Sequence, residues 1–239
     1  MQFQLEAFAS QDSRAQGEAL VDRSCVREDL ATLFDPHAQA GKLLLGGRGS
    51  AWQVTGSFGS AALRHYRRGG LLAALRKDRY WFRSAEQTRG FRELRLLSHL
   101  YALGLPVPRP LAARYARLGR SYQADLLTSW LPAARPLAEL GAQADSAMFS
   151  AVGRCIAQFH RAGVWHADLN AHNIVFTQQR IALLDFDRGE LRAVAARWQQ
   201  ANLQRLERSL RKLGFAQHPD FAGRWMPALH SAHALELSA

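Results

Sequence analysis

The stretch that most constrains this chain is His166-Ala167-Asp168-Leu169-Asn170-Ala171-His172-Asn173, together with Ile181-Ala182-Leu183-Leu184-Asp185-Phe186-Asp187 a little further on. Asp168 and Asn173 stand five positions apart, just before the apolar run Ile174-Val175-Phe176. Asp185 follows a second apolar run whose length and composition suit a short buried strand. A hairpin between the two runs brings Asp168, Asn173 and Asp185 to one end of the pair. One carboxylate is then free to take a proton from a hydroxyl, while an amide oxygen and a second carboxylate are placed to hold Mg²⁺. That ion accepts few protein ligands, prefers hard oxygens and shares its shell with substrate phosphates.

The spacing resembles the catalytic loop and metal loop of the protein-kinase-like fold, His-x-Asp-x-x-x-x-Asn followed by Asp-Phe-x. The bland alternative makes these residues turn formers and caps, roles that Asp and Asn favour. A compound motif with a strand pattern between its halves is harder to produce by chance than either half alone.

Elsewhere the chain gives weaker signals that gain meaning from position. Lys42-Leu43-Leu44-Leu45 runs into Gly46-Gly47-Arg48-Gly49-Ser50 and then Ala51-Trp52-Gln53-Val54-Thr55. This reads as a hairpin whose glycine turn offers backbone amides to phosphates, although a Gly-rich turn is commonly only a turn. It departs from the kinase Gly-x-Gly-x-x-Gly, because Trp52 stands where the third glycine would be. In Ala61-Ala62-Leu63-Arg64-His65-Tyr66, Ala62 and Arg64 share one face of a strand. The kinase Val-Ala-Ile-Lys pattern places a small residue and a cation in the same way. Here the cation is arginine, whose planar fork grips phosphate differently from an ammonium; a plain surface arginine is the alternative.

Thr88 to Leu103 is predicted as a helix on Phe91, Leu94, Leu97 and Leu100. Glu93 lies beside that apolar stripe and wants a cationic partner. Arg64 is the expected one, with local pairing to Arg89 or Arg92 as the alternative. Leu105-Pro106-Val107-Pro108-Arg109-Pro110 is extended by necessity, Ser121 to Thr128 suits a strand, and residues 145–161 form an amphipathic helix leading to the Asp168 loop. Residues 1 to about 40 yield no chemistry. After Asp187, the apolar positions Leu191, Val194, Trp198, Leu206, Leu210 and Leu213 mark one or two basic helices. Only about fifty residues remain there, too few for a long activation segment and a large helical subdomain, so a regulated protein kinase is disfavoured.

Composition matters mainly through charge. Lys and Arg number 31 against 20 Asp and Glu, a net +11 across 239 residues that favours anionic partners. No nucleic-acid recognition module accompanies the charge, so nucleic acid is not expected as a partner. Two cysteines, Cys25 and Cys155, give no disulfide framework, and Cys155 falls at a buried helical position. The N-terminus lacks the pattern of a signal peptide, and no run approaches about 18 apolar residues; a cytoplasmic location is the expectation. The basic-aromatic stretch Arg64 to Arg83, with Arg67, Arg68, Arg76, Lys77, Arg79, Tyr80, Trp81 and Phe82, suits an anionic interface, or else is a solvated face with a few core aromatics.

With those residues in view, the chain resembles the Kdo (3-deoxy-D-manno-octulosonic acid) kinases, relatives of the lipopolysaccharide heptose kinases. The resemblance rests on Leu63-Arg64-His65-Tyr66-Arg67-Arg68-Gly69-Gly70-Leu71, Ala124-Asp125-Leu126-Leu127-Thr128, the Asp168 loop, and Trp198-Gln199-Gln200-Ala201-Asn202-Leu203 with Arg205, Leu206, Arg208, Ser209 and Leu210. It implies a two-lobed α+β fold, with an antiparallel-sheet N-lobe (1–128), a linker (129–136) and a mostly helical C-lobe (137–239). It implies ATP-dependent transfer to a hydroxyl of Kdo, the 4-position being the one reported for the family. The acceptor would be a Kdo-lipid A precursor, met at the anionic cytoplasmic face of the inner membrane. The implied roles are Asp168 as base, Asn173 and Asp185 on Mg²⁺, Gly47 and Gly49 over the ATP phosphates, and Arg64 braced by Glu93. A heptose kinase or antibiotic phosphotransferase is the runner-up. Protein kinases carry lysine two residues after the aspartate; here Asn170 stands there.

Overall fold

A computed structural model describes residues 1–9, 15–44, 51–67 and 78–239. Gly47 and Gly49, the residues expected over the ATP phosphates, lie outside the described residues, as do Arg68, Arg76 and Lys77. The chain divides into two units, one of Met1–His99 with Pro108–Trp130, the other of Leu100–Val107 with Leu131–Ala239.

The first unit is built on antiparallel strands: β1 (Phe3–Ala9), β2 (Gln16–Asp22), β3 (Lys42–Leu44), β4 (Ala51–Gly56), β5 (Gly59–His65), β6 (Tyr80–Trp81), β7 (Pro110–Leu118) and β8 (Ser121–Ser129). Their order is β1-β2-β7-β8-β5-β4-β3, with β6 also on β8. The one-turn helix α1 (Leu30–Leu33) is capped by Asp29, whose carboxylate accepts from Thr32 N. Val21, Leu33, Val54, Leu63, Leu111 and Leu127 meet in the core, as the period-2 alternation of half-buried strands requires.

The main helix of this unit, α2 (Arg89–Ala102), falls within a residue of its expected ends. It buries Phe91, Leu94, Leu97 and Leu100, and the Phe91 ring meets Tyr115 edge-on at 5.4 Å. A Cβ on Gly90 would lie 3.0 Å from the Asp125 carbonyl oxygen and 3.2 Å from that of Arg114. The missing side chain lets the start of the helix rest directly on β7 and β8. The N-terminal residues that carried no readable chemistry supply β1 and β2, with β2 paired to β7. Asp22, fully buried at the end of β2, accepts from Arg109 Nη2 at 2.8 Å.

The second unit contains β9 (Arg135–Pro136), α3 (Ser146–Arg161), β10 (Val164–Trp165), β11 (Ile174–Phe176), β12 (Ile181–Leu183), β13 (Glu190–Leu191), α4 (Ala196–Lys212) and α5 (Met226–Ser238). Asp145 caps α3 by accepting from Met148 N at 2.7 Å. A Cβ on Gly153 would stand 2.2 Å from the Leu229 carbonyl oxygen, so α3 and α5 touch backbone to backbone. Phe149 stacks on Trp225 at 5.3 Å beside them. One expectation is corrected here. Leu191 and Val194 do not belong to a helix: Leu191 pairs with Val164 across β10 and β13, Val194 precedes α4, and both are exposed. Their isolated apolar character imitated a helical stripe. Cys155 is buried, and burial pushes its thiol up to about 12, as an inert core position requires.

Candidate active site

The hairpin between the two motif halves forms as the apolar runs dictate. Ile174 pairs with Leu183 and Phe176 with Ile181. Leu184 N then donates to the Asn173 carbonyl at 2.9 Å, which sets Asp185 next to Asn173 at the hairpin end. Asp185 is exposed and has φ of +59°, a left-handed conformation rare for a side-chain-bearing residue and typical of strained functional positions. Phe186 turns the other way, into the core, stacking on Phe159 at 5.7 Å and meeting the His166 ring at 4.8 Å.

The Asp168 loop is held by its own polar side chains. Asn170 Oδ1 accepts from the backbone N–H of His172 (2.9 Å) and Asn173 (3.2 Å), folding the loop back on itself. Asn173 Nδ2 donates to the Asp168 carbonyl at 2.9 Å. Asn170 Nδ2 reaches Asp168 Oδ2 at 3.1 Å. The side chain of Asp168 is 55% exposed, and Arg205 Nη1 lies 3.7 Å from its Oδ1.

His166 anchors the loop from below. Its backbone-facing bonds fix the tautomer: Nε2–H donates to the Leu184 carbonyl at 2.9 Å, and Nδ1 accepts from Asp168 N at 3.1 Å. A neutral ring is needed for that pair of bonds, and burial holds the imidazole below its ordinary value. His166 thereby ties the Asp168 loop to the Leu184–Asp185 end of the hairpin through one side chain.

Asn202 on α4 continues the support. Its Nδ2 donates to the His166 carbonyl at 2.9 Å, while Oδ1 accepts from His166 N at 3.3 Å and from His160 Nε2 at 3.4 Å. His160 Nδ1 in turn accepts from His233 Nε2 at 2.8 Å. Burial pushes the His160 ring down to about 3 and also lowers His233. Burial therefore disfavours the charged form of all three histidines in the folded chain, whereas they protonate near 6.5 when it unfolds. Their contribution is complete above that value and is lost as pH falls through it, by up to about 1.4 kcal/mol per pH unit for each ring. His65 works in the opposite sense. Burial opposes its charge, but the bond to Asp125 and the charges of Asp125 and Asp78 raise it, so its contribution is lost as pH rises. Three against one predicts that Tm falls as pH drops from 7.5 to 5.5; a flat or rising Tm over that range would contradict these assignments.

In the first unit, Arg64 on β5 pairs with Glu93 on α2, through Nη2 and Oε2. Glu93 is buried, and the fully buried Tyr66 hydroxyl donates to the same Oε2 at 2.6 Å. The Arg64 guanidinium lies 4.6 Å over the Tyr66 ring. The expected Arg64 partner of Glu93 is thus in place, and the Arg89 guanidinium lies over the Tyr66 and Tyr80 rings. Tyr66 was legible in principle, since it shares the Arg64 face of the strand two residues on.

Next to this pair, on the other face, Asp125 accepts from Arg114 Nε at 2.7 Å and bonds to His65 Nδ1 at 2.7 Å. Burial opposes ionisation of this carboxyl, yet its two cationic neighbours hold it below the usual carboxylate range. It locks β5, β7 and β8 together. Of the aromatics between Arg64 and Arg83, Tyr66 and Tyr80 are core residues, Phe82 packs against Tyr115 at 5.4 Å, and only Trp81 is largely exposed, at 61%. Trp81 is therefore the one aromatic of this stretch that faces outward.

The donor set fits the expected ion. Asn173 spends its amide N–H on the loop, and its Oδ1 carries no hydrogen bond among the described residues. With the exposed Asp185 carboxylate beside it, the hairpin end offers one amide oxygen and one carboxylate. No group of three or more His, Cys, Asp or Glu side chains gathers to hold a metal among the described residues. Two hard oxygens suit Mg²⁺ that completes its shell with phosphates and water.

A model of the lipopolysaccharide kinase (Kdo/WaaP) family matches residues 44–230. The chain belongs to that family. As a lipopolysaccharide kinase family member it is a phosphotransferase. It is 45% identical over 236 residues to the 3-deoxy-D-manno-octulosonic acid kinase of Xanthomonas axonopodis pv. citri (strain 306), across 96% of this chain and 95% of the relative. The enzyme of the same name from Stenotrophomonas maltophilia (strain R551-3) is 47% identical over 207 residues, 84% of this chain and 83% of its own. A solved structure of WaaP in complex with acyl carrier protein shares the fold, with a TM-score of 0.51 and 18% identity over 88% of this chain and 98% of that one. The family's kinase-like α+β fold is the one its motif implied.

Proposed function

We propose that this chain transfers the γ-phosphoryl group of ATP to a hydroxyl, the 4-hydroxyl by family resemblance, of Kdo on a Kdo-lipid A precursor. The observation that carries the reading is the hairpin end that gathers Asp168, Asn173 and Asp185, in a chain whose relatives of nearly equal length are named Kdo kinases. Asp168 orients the acceptor hydroxyl and takes its proton as the oxygen attacks the γ-phosphorus; the bond to the bridging oxygen breaks and ADP leaves with the electron pair. Asn173 Oδ1 and Asp185 would hold Mg²⁺, which neutralises charge on the phosphates. Arg64, fixed by Glu93 and Tyr66, presents a cation to the ATP phosphates. Catalysis of this kind is positioning plus electrostatics.

The test is an acceptor panel with wild-type protein and Mg-ATP: Kdo-lipid A precursor, heptose-bearing core oligosaccharide and an aminoglycoside. Turnover confined to the first supports the reading. Turnover with another acceptor keeps the kinase and discards Kdo.

The acceptor is a lipid, and the same reading puts the protein at an anionic membrane surface. No described helix is long and apolar enough to cross a membrane. A surface groove of about 470 Å³ is lined by Trp81, Arg83, Gln87 and Arg92. An exposed indole among arginines suits a headgroup layer. Reversing charge with Arg83→Glu and Arg92→Glu should weaken binding to vesicles containing anionic phospholipid roughly tenfold or more. Added salt should do the same to the wild type. Equal co-sedimentation of variant and wild type would contradict the assignment.

A further inference from the structure

Phosphoryl transfer commonly recruits a cation beside the catalytic aspartate, and the catalytic loop of this chain has Asn170 where protein kinases carry lysine. From the structure we infer that Arg205, on α4, is the residue that supplies this charge: it rests beside Asp168 and engages the phosphoryl group during transfer. The inference rests on the phosphotransfer reading above.

Three residues of α4 address the Asp168 loop from one face of the helix. Asn202, Arg205 and Ser209 stand at i, i+3 and i+7, the spacing of one helical face. Asn202 holds both backbone groups of His166. Ser209 Oγ accepts from Ala171 N at 3.2 Å. Between these two anchors, Arg205 Nη1 reaches to 3.7 Å from Asp168 Oδ1. The backbone of α4 is thus fixed on both sides of Arg205 to the loop that carries the base. The guanidinium is delivered to the carboxylate by the same contacts that build the loop.

The geometry of the pair argues against a role in stability. Arg205 is 45% exposed and Asp168 55%, and 3.7 Å is too long for a good charge-assisted hydrogen bond. Exposed pairs of that kind contribute little to folding. Among the described residues, Asp168 is the ion-pair partner of Arg205, which leaves most of its five N–H groups for another anion. Asp168 must lie within hydrogen-bond reach of the attacking hydroxyl. The phosphorus that this oxygen attacks then lies about 3–3.5 Å beyond it. A small swing of a long, exposed side chain brings a guanidinium from the carboxylate onto the equatorial oxygens, where its planar fork matches phosphate.

During transfer the acceptor oxygen forms a bond to the γ-phosphorus, the bond to the bridging oxygen breaks with its electrons going to ADP, and the hydroxyl proton passes to Asp168. Arg205 changes no bonds. It neutralises charge on the oxygens of the group in flight.

The experiment compares wild type, Arg205→Ala and Arg205→Lys in two measurements. In steady-state transfer to Kdo-lipid A precursor, Arg205→Ala should lower kcat about 10²-fold. KM for ATP and Tm should stay near wild type, Arg205→Lys should retain part of the rate, and added guanidinium should partly rescue the alanine variant. In calorimetric binding, Arg205→Ala should bind MgADP as wild type does but bind MgADP with aluminium fluoride, a planar mimic of the group in flight, far more weakly. Arg205→Ala within threefold of wild-type kcat, a loss confined to KM for the lipid, or unchanged binding of the aluminium fluoride complex would each overturn the inference. Failure of the wild type itself to phosphorylate the lipid would instead be a failure of the function proposed above, and the aluminium fluoride arm still tests Arg205 in that event.

Discussion

Asp168→Asn is expected to lower turnover about 10³-fold, within the range for removal of a positioned general base, while Tm and ATP affinity stay near those of the wild type. The Asp168 side chain is more than half exposed, and among the described residues its side-chain neighbours are the amide of Asn170 and the distant Arg205 guanidinium. An asparagine keeps the shape and still accepts from Asn170 Nδ2. The backbone groups of Asp168, which bond to His166 Nδ1 and Asn173 Nδ2, are untouched. What disappears is the basic carboxylate oxygen that the proposed role requires. Steady-state kinetics beside a melting curve separates these effects. A variant that turns over within tenfold of wild type would remove Asp168 from the role of base, and one that melts early would mean that the carboxylate serves the loop instead.

Asn202→Leu should do the reverse, damaging the fold first and activity through it. Asn202 is 2% exposed, and its one side chain bonds to both backbone groups of His166 and to the His160 ring. Leucine fits the space approximately but satisfies none of them. Leaving buried polar groups without partners costs about 1–3 kcal/mol each. A total of about 3–5 kcal/mol follows, a fall in Tm of roughly 10 °C for a chain of this size. Loss of kcat should accompany it even at temperatures where the variant is folded, because the Asp168 loop loses its support. A Tm within about 2 °C of the wild type would show that α4 does not brace the loop.

The parts of this protein that were legible in its sequence are those where local pattern and chemistry coincide. The runs Ile174-Val175-Phe176 and Ile181-Ala182-Leu183 are too short and too apolar to be anything but buried strands, and they pair as expected. The Arg64–Glu93 contact followed from strand alternation on one side and a helical stripe on the other. What sequence reasoning missed is tertiary. Gln16–Asp22 looks unremarkable alone, and pairing with β7 on one side and β1 on the other makes it a strand of the sheet. Asn202 and Ser209 look like polar punctuation in a basic helix. Their partners are backbone groups dozens of residues away, which no periodicity announces. Leu191 and Val194 misled for the opposite reason, being apolar and exposed. Trp81, by contrast, is the exposed survivor of an aromatic cluster that the fold otherwise buries.

The measurement that tests the central claim most directly follows the phosphoryl group itself. Wild-type protein is incubated with Mg²⁺, ATP labelled at the γ-phosphate and purified Kdo-lipid A precursor. The lipid is then isolated, and mild acid is used to separate Kdo from lipid A. Label is expected in the Kdo fraction with wild type and none above background with Asp168→Asn. Label that stays with lipid A or with the protein, or equal labelling of Kdo by the two proteins, would contradict it.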